Sequence, residues 1–243
     1  MASRAYDLSM MTLDDFETLA KSRRATRHFK PDAIPADLLD RVLAIAQWAP
    51  SGYNLQPTHF VVVTDPAIKS KLFAPCLKQR QINAAPAVVV ITGDRKVAAH
   101  HTEDILSADR AVGAIDDSYE KLLRRVIPLV FGQGPLGLGW LAKALAGPVL
   151  GLVTPTPSIP AVQKRYWLTK QTMLCAMTLM LAASAAGLAT LPMEGFDERR
   201  VRKALGIPRS QIVPVVIAMG YAARNDLKKT RLPMERILHR DKW

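Results

Sequence analysis

The chain has 243 residues, a mass of 26.7 kDa and a formal charge of +12, from 33 Lys and Arg against 21 Asp and Glu. Apolar residues at 49% exclude a disordered or acidic-tail class, and the length suits one domain, or one subunit of an oligomer. Cys76 and Cys175 are too few for a disulfide framework and lack the paired spacing of a zinc site. The first residues have no apolar stretch of the secretory kind, so a cytoplasmic protein is expected. In chain order, Thr12-Leu-Asp-Asp15 reads as a capping box that opens a first helix with the stripe Leu13, Phe16, Leu19 and Ala20. That helix is expected to run on to Phe29-Lys-Pro31. A second begins near Ile34-Pro-Ala-Asp37, with Leu38, Val42, Ile45 and Ala49 as its inner face, and stops at Pro50-Ser-Gly52.

Three apolar runs read as strands: 58–64, 87–92 and 212–219. Pro214 demands an edge or a bulge in the last. Unbroken apolar strands between helices predict a sheet covered on both faces. Residues 171–193 carry no charge and read as a buried or interface helix to about Ala186, followed by a short strand. Residues 126–153 are apolar and rich in Gly and Pro, with Lys143 as their only charge. They are read as an insertion, about residues 109–162, folded over the core as a lid. The alternative is weak peripheral contact with a membrane surface, helped by Arg124, Arg125, Lys164 and Arg165.

The charge excess is partly regional, because no acid stands between Glu120 and Glu194. Aromatic residues make up 6% and do not alternate with Arg and Lys, so nucleic acid is not an expected partner. Gly132-Gln-Gly134-Pro-Leu-Gly137 fits G-x-G-x-x-G, but the acid a ribose needs about 20 residues on is missing, and a dinucleotide site is rejected. Of the five histidines none sits in a metal-ligand spacing, and His100 and His101, adjacent on a helix, should point apart. Cys175, inside the uncharged helix, should be inert core.

Four stretches remain. Arg23-Arg-Ala-Thr-Arg27-His-Phe29 presents guanidiniums that can clamp an anion. Ala49-Pro-Ser-Gly-Tyr-Asn-Leu-Gln-Pro57 is a tight polar loop. Pro192-Met-Glu-Gly-Phe-Asp197 and Lys229-Thr-Arg231-Leu-Pro233 follow late in the chain. Together, and in this order, they resemble the signature segments of the FMN-dependent nitroreductases, over roughly residues 12–95 and 163–238. The resemblance implies an α+β fold, a mostly antiparallel central sheet flanked by helices, in an intertwined homodimer formed from a single domain of residues 1–243. It implies FMN, with NADH or NADPH as transient donor and an electron-poor nitroaromatic or quinone as small-molecule acceptor, turned over by a ping-pong mechanism. Arg23, Lys229 and Arg231 would then hold the phosphate, with Arg24 and Ala25 beside it and Arg27 near the flavin pyrimidine. Pro50, Ser51, Gly52, Asn54 and Gln56 would form the loop lent by the partner subunit. Pro192, Glu194 and Gly195 would lie along the isoalloxazine. Ala25 departs from a frequent Ser, and the ribityl partner near residues 77–81 is not recoverable from the resemblance. A reductive dehalogenase or flavin-fragmenting enzyme of the same fold, and a non-catalytic basic binder, are the alternative readings.

Overall fold

The computed structural model describes residues 12–132, 138–152, 162–224 and 228–243. The rejected Gly132–Gly137 match falls largely outside them. In chain order the elements are α1 (Leu13–Ser22), α2 (Ala36–Ala46), β1 (Thr58–Val63), α3 (Pro66–Phe73), α4 (Gln81–Ala84) and β2 (Ala87–Asp94). They continue with α5 (Val97–Ala111), α6 (Asp117–Phe131), α7 (Leu138–Gly151), α8 (Lys164–Ala185), β3 (Ala189–Met193), α9 (Glu198–Leu205) and β4 (Gln211–Gly220). The strands form one sheet in the order β1-β2-β4-β3, and every neighbouring pair is antiparallel.

The sheet is the centre of the core. β2 is buried at every position, because apolar helices cover both faces. Ala87, Val89 and Ile91, with Val215, Ile217 and Met219 of β4, pack on Leu39, Val42 and Ala46 of α2 and on Cys175, Ala176 and Leu179 of α8. Val88, Val90, Val216 and Ala218 point the other way, onto Leu72 of α3, Ile82 of α4 and Val201 of α9. Between the pairs Ile91–Val215 and Gly93–Ile212, both Val213 and Pro214 oppose Thr92 alone. This is the bulge that Pro214 required. It also lies past the end of the β3 pairing, at Val216, where a missing N–H leaves no strand partner unsatisfied. The extra residue reverses the pleat, so Val213 joins the second face. Gly93 is set by close approach: a Cβ there would lie 3.0 Å from the Thr172 methyl of α8.

Several expectations are corrected. α1 has the predicted capping box, with Thr12 and Asp15 bonded reciprocally, but it ends at Ser22. Arg23 turns to an extended conformation (ψ 131°), and Ala25 forms a parallel bridge to Thr190 instead of a further helical turn. Arg23 and Arg27 therefore share no helix face. The inner face of α2 is Leu39, Val42 and Ala46, while Ile45 turns outward. The Leu13 and Phe16 stripe of α1 is uncovered in the single chain, Leu13 being 80% exposed. β2 continues through Gly93 to Asp94.

The described residues of the segment read as an insertion are largely helical. Pro128 sits within the last turn of α6, and its carbonyl still accepts from the Gly132 N–H. α6 buries Leu123, Ile127 and Phe131 against Leu55, Trp167 and Leu168, in a third apolar cluster of the chain's own core. Arg124 reaches Glu103 at 2.7 Å and Glu120 at 2.9 Å, tying α6 to α5. The Lys143 ammonium of α7 donates to the Leu129 and Gly132 carbonyls, a cation on the open C-terminal end of α6. Thus α6 turns Leu123, Ile127 and Phe131 inward, while its Leu122 and Leu129 stay exposed. Among the described residues no helix is long and apolar enough to cross a membrane.

Candidate functional site

The break after Ser22 creates the first part of the site. Arg23 and Arg24 lie where the chain leaves α1 and runs beside β3, held by the Thr26 N–H donating to the Thr190 carbonyl at 3.1 Å. They line a hollow of about 210 Å³ with Ser22, Thr26, Gly187 and Thr190. One terminal guanidinium nitrogen of each arginine is buried with no hydrogen-bond partner, and so is the Thr190 hydroxyl. Buried donors without partners are costly, and a buried unpaired cation more so.

Lys229 comes to the same place from the other end of the chain, its ammonium donating to the Lys21 carbonyl at the end of α1. Its pKa is held below the usual lysine value by desolvation, then by the charges of Arg24, Arg23 and Arg231. Like charges gathered around unpaired donors suit an anion, and two arginines can hold a phosphate by forked hydrogen bonds. Arg27 is exposed, as is Ala25.

A second region is the loop between α2 and β1. Tyr53, Asn54 and Gln56 all adopt positive φ, at 57°, 53° and 48°. Such strain persists only where surroundings over-determine it. Here the Gly52 N–H donates to the Gln171 side chain of α8 at 2.7 Å, and the Gln56 N–H to Ser51 Oγ at 2.9 Å. The Asn54 amide donates to Asp109 of α5 at 3.1 Å, and the Gln56 amide to Asn54 at 3.2 Å. Gly52 has no room for more, since a Cβ would meet the Trp167 indole at 3.3 Å. Pro50 and Asn54 stay exposed. None of these residues lines the cationic hollow.

A third region follows β3. Pro192 lies in the strand, Glu194 and Gly195 emerge exposed from its end, and Asp197 caps α9 by accepting from the Arg200 N–H at 3.0 Å. Sequence reasoning missed the neighbour of this turn. The Gln79 amide donates to the Gly195 carbonyl at 2.8 Å, from a bend where Leu77 and Lys78 take positive φ. This is the stretch that could not be aligned. Two successive positive φ values outside glycine leave no compositional signal, so only the fold places Gln79 there.

The histidines also depart from expectation. His100 Nδ1 donates to buried Asp94 at 2.5 Å, and His101 Nδ1 donates to the Leu55 carbonyl at 3.0 Å. His59, on β1, stands beside His101 with ring centres 5.9 Å apart. Both cysteines are buried, and desolvation raises each thiol to about 11, so neither is a nucleophile. A wider hollow of about 690 Å³ is lined by Arg95, Lys96, Lys164, Arg165 and Arg209. Its Arg165 is already paired with Glu198 at 2.8 Å, so it is a less demanding anion site than the first.

The fold and this arrangement define a class, and comparison with known proteins agrees with it. Residues 20–221 match the model of the nitroreductase family, and the chain belongs to that family. It is 30% identical over 224 residues to the NADH dehydrogenase of Thermus thermophilus, covering 92% of this chain and 95% of that one. It is 25% identical over 235 residues to the oxygen-insensitive NAD(P)H nitroreductase of Salmonella typhimurium, covering 92% and 98%. Its backbone superposes on a nitroreductase of Exiguobacterium sibiricum, solved in complex with FMN, with a TM-score of 0.72 at 23% identity, covering 95% and 99%.

Proposed function

We propose that this chain is an FMN-dependent oxidoreductase that passes electrons from NADH or NADPH to an electron-poor small molecule, a nitroaromatic or quinone, by a ping-pong mechanism. The observation that carries the reading is the pair of buried, partnerless guanidinium nitrogens of Arg23 and Arg24 beside Lys229 and Arg231. A phosphate monoester matches that donor set in charge and in acceptor geometry. Bound FMN would supply the hydride chemistry itself, accepting two electrons from the nicotinamide and returning them to the acceptor.

The side chains bind and orient. Arg23, Arg24, Lys229 and Arg231 hold the phosphate, and Ala25 leaves space where a hydroxyl would otherwise reach it. Arg27 offers a cation to charge that accumulates on the flavin pyrimidine. Pro192, Glu194 and Gly195, steadied by Gln79, border the ring system. Pro50, Ser51, Gly52, Asn54 and Gln56 form a rigid loop that serves the site of a second copy.

The loop's separation from its own chain's cationic hollow supports a homodimer. So do the apolar side chains left uncovered: Leu13 and Phe16 of α1, Ile45 of α2, and Leu174 and Met177 of α8, with Trp48 81% exposed beside them. Leu232, Met234, Ile237 and Leu238 in the C-terminal tail are exposed as well. Replacing both Lys229 and Arg231 by Ala should give a folded dimer that has lost its flavin absorbance. Full flavin occupancy in that variant would falsify the phosphate assignment.

A further inference from the structure

Three elements outside the flavin site bring metal-ligating side chains together. His59 lies on β1, Asp94 at the end of β2 and His101 on α5. One ligand atom from each lies within 4.8 Å of the others. We propose that His59, Asp94 and His101 form a binding site for a divalent transition-metal ion of borderline softness, with Zn²⁺ as its simplest occupant. The proposal depends on the packing of α5 against the sheet and on the Leu55 carbonyl of the adjoining loop, and its test reads metal and flavin separately.

The chemistry of each donor fits. A backbone carbonyl can only accept, so the contact from His101 Nδ1 to the Leu55 oxygen fixes the proton on Nδ1 and leaves Nε2 as a lone-pair donor. Metal-bound imidazoles ordinarily carry this kind of support on their other nitrogen. His59 lies on β1 with its ring centre 5.9 Å from that of His101, and one of its imidazole nitrogens is within 4.8 Å of the other two ligand atoms. Asp94 is 1% exposed, and its carboxylate is already oriented by the Lys96 N–H on one oxygen and by His100 on the other. Each oxygen retains a lone pair.

Two imidazoles and one carboxylate form a borderline donor set suited to zinc, with a fourth position open to water on the exposed His59 side. Lys164 stands near Asp94 and competes for its charge. The ion should therefore exchange with a chelator instead of being locked in.

The test uses the flavin-loaded, untagged dimer, stripped with chelator and titrated with ZnCl₂ by equilibrium dialysis and elemental analysis. One zinc per chain is expected. His59→Ala and His101→Ala should each weaken binding at least about tenfold, in the range seen for altered metal shells. His28→Ala, away from the cluster, should bind zinc like the parent protein, and FMN content should be unchanged in His59→Ala. Absence of saturable binding in the parent protein would overturn the proposal. So would binding in His59→Ala equal to that of the parent. If His101→Ala fails to fold, the His59→Ala result alone decides.

Discussion

The cationic hollow and the loop of residues 50–56 are opposite solutions to holding polar groups in place. The hollow joins the two ends of the chain, yet leaves guanidinium nitrogens of Arg23 and Arg24 and the Thr190 hydroxyl without partners. The loop bends through three strained residues, but its polar groups meet Ser51, Gln171, Asp109 and each other. An incomplete set of hydrogen bonds points to something that must arrive from outside. A completed set around strained backbone points to a surface that must keep its shape. On the proposed reading, the difference separates a region that would grip a ligand from one that would border it.

The comparison can be broken most sharply in the hollow. Arg24→Ala should lower FMN affinity by at least about tenfold, the scale of a lost charge-assisted bond. The apo-protein should melt no lower than the parent and higher at low salt, because an unpaired cation has been removed from beside Arg23 and Lys229. Flavin titration and apo-protein melting at two salt concentrations check both signs. A drop in apo stability equal to the loss of binding would mean that the hollow is structural.

The loop should respond the other way. Gly52→Val drives its side chain into Trp167 and should cost about 1–3 kcal/mol in the unfolding of the apo-protein itself, read by urea denaturation. The effect confined to alkaline pH concerns the thiol behind the loop. Cys175 lines a small hollow with Ser51, Gln56 and Gln171, and its pKa is raised to about 11 from 9.0. The unfolded chain then loses its proton first as pH rises, so the folded state binds more protons between these values. Stability must fall from pH 9 to 11, by roughly 2 kcal/mol for this group. Cys175→Ala should show a shallower decline in denaturation midpoints across that interval.

Much of the fold was legible because its signals are local. The Thr12 capping box, the continuous apolar strands and the break at Pro214 each follow from residue type and spacing alone. The end of α1 was not legible. Arg23 to Lys30 contains no helix breaker, and what turns it out is hydrogen bonding to Thr190, Tyr221 and Ala223, distant in sequence. The helix around Pro128 is likewise not legible from local signals. A proline near a helix C-terminus removes one bond but is tolerated when packing of Leu123, Ile127 and Phe131 stabilises the rest. The four ordered motifs carried the candidate residues. Gln79 and the grouping of His59, Asp94 and His101 had no pattern to carry them, since each depends on which strand lies beside which.

The two margins of the sheet have different fates. Along β3, the segment at Ala25 and Thr26 bonds to Thr190 and occupies part of the outer edge. Along β1, no strand among the described residues pairs with the outer side of Thr58–Val63, which carries three consecutive valines. Such a margin is a template for indiscriminate strand addition when its natural covering is lost. Clouding of heated or diluted solutions should therefore begin there, and a lysine at Val62 should delay turbidity without altering the melting of the native state.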